Sequence, residues 1–183
     1  MLKLPRTLRL DPSDTLVFER AAEPGEWAVT GSFLFLDRDA AALTGKERAA
    51  FRAGFLGVDS LGFSTLVVVS EASAAEREAA IDRLAEHLLK KFGAPDRAAA
   101  RAAAREEIEF AASLCGHPVN TVIALRRSLE QGKIREEFRT LRPRDPAPGG
   151  DRLHAYARAF EFVETDEEPG EAVDLVGLME PKR

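Results

Sequence analysis

Gly57-Val58-Asp59-Ser60-Leu61-Gly62-Phe63-Ser64, GVDSLGFS, is the stretch whose reading decides the fold. Its two glycines and its terminal hydroxyl stand at the spacing of a phosphate-binding P-loop, but Phe63 replaces the lysine. A working P-loop follows a buried strand and opens a helix, so that several amides and the helix dipole point at the phosphates. That arrangement would make the chain α/β. The flanks here run the other way. Upstream, Thr44 and Glu47 have the capping-box spacing, so a helix starts there and ends near Gly54 or Gly57. Downstream, residues 63–69, FSTLVVV, are the strongest strand in the chain, and the unbroken apolar run predicts burial on both faces. The loop is therefore a tight helix-to-strand turn, with glycines for the bend and Phe63 as the first buried residue of the strand. Asp59 and Ser60 sit at its tip, facing either a pocket or water.

Working outward, the N-terminal third reads as a meander. Residues 7–10, 15–19 and 27–36 alternate like strands, separated by the turns Asp11-Pro12-Ser13-Asp14 and Glu23-Pro24-Gly25-Glu26, with Gly31 as a bulge. After residue 69 the period changes. Ser73 and Glu76 form a second capping-box match. Ile81, Leu84, Leu88 and Phe92 then fall on one helical face, with Ala85 and Leu89 beside them, and Lys90, Lys91 and Gly93 mark the end. A second helix begins after Asp96 and puts Ala104, Ile108, Ala111 and Cys115 on a common face. The short link predicts an antiparallel helix pair. Residues 119–129 and 134–141 follow as two strands around Glu130-Gln131-Gly132-Lys133, a hairpin turn. Residues 143–150, PRDPAPGG, are loop by composition, and 154–163 a further strand. Hairpins outnumber crossovers, so the fold class is α+β: a mainly antiparallel sheet with an antiparallel helix pair packed on one face. Residues 1–163 form a single domain. Residues 164–183 form an acidic linker and a C-terminal tail, whose apolar VDLVGLM segment docks on this chain or on a partner.

The chain has 183 residues, 45% hydrophobic and 31% charged, with a formal net charge of -5. That composition is globular, and the mild negative charge argues against nucleic acid and against a membrane surface as partners. No apolar run is long enough to span a bilayer. The N-terminus lacks a secretory core, and the single cysteine excludes an internal disulfide, so the expected location is cytoplasmic.

Few residues suggest chemistry. Cys115 and His117 are separated by one glycine, but Cys115 falls at a helix C-terminus, where the dipole opposes a thiolate. It reads as a buried small hydrophobe, and no residue is assigned a catalytic role. His87, His117 and His154 lie in separate elements without metal-ligand spacing, so no metal site is predicted and no cofactor is named. Glu106, Glu107 and Glu109 read as a solvated acidic face. Trp27 reads as a buried anchor for the sheet.

Residues 126–144 are basic within an acidic chain. Strand parity puts Arg135 and Arg139 on one face and Ile134 and Phe138 on the other. Cross-strand Arg–Glu pairing is one account of the basic face. The other is an anion site in which Arg126, Arg135 and Arg139 grip a phosphate or carboxylate, with Asp59 and His117 nearby. The acidic residues of 164–174 offer an intramolecular counterpart.

LRLDPSDTLVFERAAEPGEWAV, FRAGFLGVDSLGFSTLVVV, VNTVIALRRSLEQGKIREEFRTL and the tail AVDLVGL together resemble an uncharacterised family of short proteins, mostly alphaproteobacterial. The resemblance implies a bacterial, cytoplasmic, single-domain protein and lends no site residues. The functional expectation is an accessory or binding protein, non-enzymatic and homodimeric, because the sheet has edges to cover. The alternative is an enzyme or sensor for a small anionic ligand held by the basic hairpin 126–144.

Overall fold

The computed structural model describes residues 1–143 and 162–164. The expected loop 143–150, most of the strand 154–163, His154 and the acidic tail lie outside the described residues.

The fold is mixed α+β. Among the described residues, five strands form one antiparallel sheet in the order β1-β5-β6-β7-β8: β1 Lys3–Leu8, β5 Leu66–Glu71, β6 Val122–Glu130, β7 Lys133–Pro143 and β8 Phe162–Glu164. Three short strands, β2 Ala28–Val29, β3 Phe55–Gly57 and β4 Phe63–Ser64, form a second antiparallel sheet. The helices are α1 Ser13–Val17, α2 Gly45–Ala53, α3 Ala74–Lys91 and α4 Arg97–Ser113, with α3 and α4 paired.

The pair is built as its sequence dictates. Ser73 Oγ accepts from Glu76 N at 3.1 Å, and Glu76 returns a carboxylate oxygen to Ser73 N at 2.8 Å. Asp96 caps α4 by accepting from Ala99 N at 2.8 Å. Arg77 pairs with Glu109 at 2.8 Å and Arg101 with Glu78 at 2.6 Å, which lace the helices antiparallel. Their apolar faces, Ile81, Leu84, Ala104, Ile108 and Ala111 among them, close on Leu4, Val29, Leu56 and Val58. Phe92 and Leu89 were expected on the buried face or beside it, but they are 43% and 39% exposed.

The hairpin also follows its sequence. β6 and β7 pair from Val122↔Leu141 to Glu130↔Lys133. Gln131 and Gly132 both take positive φ (51° and 77°), as a two-residue hairpin turn with the twist of its strands requires.

Several expectations fail. The loop 57–62 is not a helix-to-strand turn, because it joins β3 to its antiparallel partner β4. Residues 15–19 are not a strand, because residues 13–17 turn as α1. Asp14 is buried there and accepts from Thr65 N at 3.2 Å and Thr65 Oγ1 at 2.5 Å. Residues 32–35 form a 3₁₀ turn after Gly31 (φ 75°), not an extension of β2. The run 63–69 is not one strand either. Thr65, held by Asp14, splits it into β4 of the small sheet and β5 of the large one. Nor is β5 buried on both faces: Val67 and Val69 are buried, while Leu66, Val68 and Ser70 are half-buried. The distant Asp14–Thr65 contact decides the course of residues 13–17 and of the run 63–69, the positive φ of Gly31 decides that of residues 32–35, and local alternation sees neither.

β6 is longer than its neighbour β5, whose pairing stops at Leu66↔Ala124. Beyond that point α2 fills the vacated edge, and the contact positions the candidate site.

Candidate functional site

The loop 57–62 does hold an anion, but one of the chain's own. Glu26 is buried, and its carboxylate sits in the cradle of loop amides. Glu26 Oε2 accepts from Asp59 N and Ser60 N, each at 2.8 Å. Oε1 accepts from Glu23 N at 2.9 Å and from the Ser60 hydroxyl. The loop closes on itself through Gly57 N to Gly62 O at 2.8 Å. A Cβ at Gly57 would overlap the Glu26 carboxylate, and one at Gly62 would overlap the Ala21 backbone. The glycines therefore serve close approach, as they do in a phosphate loop, but the occupant is internal.

The structure disperses the residues expected to share an anion site. Asp59 turns its carboxylate toward α3, 3.5 Å from Arg83, while its backbone oxygen lies 3.2 Å from His87 Nε2. Burial, helped by the Arg83 charge, lowers the proton affinity of His87. His117 lies beyond α4, where its backbone oxygen accepts from Lys3 Nζ. Arg135 pairs across the strands with Glu130 at 2.9 Å and approaches Glu137 at 3.9 Å, as the Arg–Glu pairing account of the basic face expects. Arg139 is exposed, opposite Ala124. Burial pushes the Cys115 thiol up to about 12, so it carries no thiolate at neutral pH. Among the described residues no three His, Cys, Asp or Glu side chains are placed to hold a metal ion, and no helix is long and apolar enough to cross a membrane.

Arg126 reaches a cavity. It lines a groove of about 310 Å³ between α2 and β6. Arg48 and Arg52, one helical turn apart on α2, line the same groove. Ala40, Ala41, Phe51 and Leu129 supply its apolar surface. Arg48 is oriented by its Nε, which donates to Leu43 O at 2.7 Å. No carboxylate stands among the lining residues. Arg48 and Arg52 were not expected from the sequence, although their i, i+4 spacing was readable. Only the docking of α2 against β6 brings them to Arg126.

Beneath the groove lies a buried ion pair. Arg127 and Glu136 are cross-strand partners with fully buried side chains, joined Nε to Oε1 at 2.7 Å. Arg127 also donates to Phe51 O at 3.1 Å, Gly54 O at 3.0 Å and Thr30 O, which ties the C-terminus of α2 to β6. Burial works against the guanidinium charge, and the carboxylates of Glu136 and Glu107 act to keep it. Glu107 is not part of a solvated face, since its Oε2 is buried. Parity offered the signal: Arg127 follows Ile123 and Leu125 on the inward face of β6, and Glu136 stands between Ile134 and Phe138.

Trp27 is half-buried, with the Arg6 guanidinium carbon 3.5 Å from the ring centroid.

Comparison with curated proteins and with solved structures gives no match. A family model matches residues 1–167. The chain belongs to that family, DUF6505, a family of unknown function.

Proposed function

We propose that this protein is a binding protein for an anionic ligand, held in the groove between α2 and β6. One observation carries the reading. Three exposed arginines, Arg48, Arg52 and Arg126, meet around an apolar surface with no acidic side chain among its lining residues. Guanidinium groups fit phosphate and carboxylate oxygens in paired hydrogen bonds. The apolar surface of Phe51 and Leu129 suits a ligand that carries a hydrophobic part beside its charge. Arg135, paired within the hairpin, and the dispersed Asp59 and His117 are not part of this site. The accessory role expected from the sequence is compatible with it. One motive for a homodimer, an open sheet edge, is weaker at β1, where Thr7 exchanges backbone bonds with Glu26 and Gly25.

The test is calorimetric titration with pyrophosphate, citrate, a nucleotide and a medium-chain acyl carboxylate, on the wild type and on Arg52→Ser and Arg126→Ser. A bound ligand should lose about 10- to 100-fold in affinity with either substitution, the worth of one charged hydrogen bond (about 1.5–3 kcal/mol). Binding that ignores both substitutions, or none by any of the four classes, rejects the site.

A further inference from the structure

α4 and β7 meet through Phe110 and Phe138, whose ring centroids lie 6.1 Å apart in an edge-on contact. One turn earlier on α4 stands Glu107, and two residues earlier on β7, on the face of Phe138, stands Glu136. The two carboxyl groups are close enough for the charge of Glu136 to act on Glu107. Glu136 gives Oε1 to Arg127, while its Oε2 is buried without a hydrogen-bond partner. Glu107 Oε2 is likewise buried without one. Ionised carboxylates are acceptors only, so two of them cannot satisfy each other, whereas one proton between them satisfies both.

We propose that Glu107 and Glu136 hold a single proton between them, a buried proton-binding site where α4 meets the hairpin. The proton resides on Glu107, because Glu136 is committed to Arg127. The charged groups around Glu107 are Glu136 on β7, Arg127 on β6 and Glu106 on its own helix. Burial acts first to raise the proton affinity of Glu107, Glu136 adds repulsion and Arg127 opposes both, leaving the group at about 7. An ordinary glutamate sits at 4.5, so the folded chain holds this proton roughly 300-fold more tightly than the unfolded chain does.

The direction of the pH effect follows. Below the unfolded value both states carry the proton and the contact is intact. Between that value and about 7 the folded state binds more protons, so stability falls with rising pH. Above it the loss levels off, with two negative charges facing one guanidinium. That guanidinium also holds the C-terminal carbonyls of α2, so the strain reaches the wall of the groove.

No ligand takes part in this proton site, and none is needed to test it. Melting temperatures of the full chain are measured from pH 5 to pH 8 for the wild type and for Glu107→Gln, whose amide donates to Glu136 without titrating. The wild type should lose several degrees relative to the variant over that range. Parallel profiles overturn the proposal. A second measurement covers a variant that fails to fold: the carboxyl carbon resonances of the wild type labelled with ¹³C-glutamate. One resonance titrating near neutrality is expected. Every glutamate titrating below about pH 5.5, as when water bridges two ionised groups, overturns it.

Discussion

At the scale of single residues, Gly57 and Glu26 show how a loop with phosphate-binding spacing becomes structural. The amides of Asp59 and Ser60 point inward because the loop turns tightly, and Glu26 supplies the negative charge that such a cradle attracts. The sequence contained both partners, but 33 and 34 residues apart, and nothing local links them. The spacing announced the cradle without its occupant. Gly57→Ala should therefore cost about 2–3 kcal/mol, since the added methyl must displace a buried, fully bonded carboxylate. Gly116→Ala is the control, because its Cβ meets nothing within 4 Å. Urea unfolding of both variants measures the difference, and equal midpoints would show that Glu26 does not need that space.

At the scale of elements, legibility depended on how much of each element's stability is local. α3, α4 and the hairpin were readable because their caps, periodic faces and turn residues all lie within the segment. Within the first 70 residues the helix between Thr44 and Gly54 was readable, but the strands were not, because Asp14, Gly31 and Thr65 set the chain direction through distant partners or a single positive φ. The two capping-box matches make the same distinction. Ser73 and Glu76 close both bonds of the box. Thr44 makes no side-chain cap bond, and Glu47 pairs with Arg38 at 2.8 Å instead. Ser73→Ala should lower stability by about 1 kcal/mol, and Thr44→Ala by only a few tenths. Thermal unfolding of the two variants side by side checks this; an equal loss would mean that spacing alone, without the bond, carries the stability.

At the scale of the molecule, the candidate groove and its buried support depend on one seam. The core contains a cluster around Val67, Val69, Ile123 and Leu125 and another around Phe18, Phe35 and Phe51, and Arg127 lies where they meet, its guanidinium carbon 5.5 Å from the Phe35 ring centroid. The inward parity of Arg127 and Glu136 was written in the strands, but their purpose depends on α2 arriving at the free edge of β6, which no local pattern encodes. Removing one partner of a buried pair strands the other charge, at about 3–5 kcal/mol. Arg127→Met should reach the upper part of that range, because the carbonyls of Phe51, Gly54 and Thr30 lose their donor as well. Glu136→Leu should cost less than Arg127→Met, since Glu107 can ionise once the repulsion from Glu136 is gone and take over as partner to Arg127. The double variant should recover only part of the Arg127→Met loss, as the carbonyls stay unpaired. A double-mutant cycle by urea unfolding at pH 7 gives all three values. Equal costs for the two single variants would mean that Glu107 does not substitute, and would place the stabilisation in the Arg127–Glu136 pair alone.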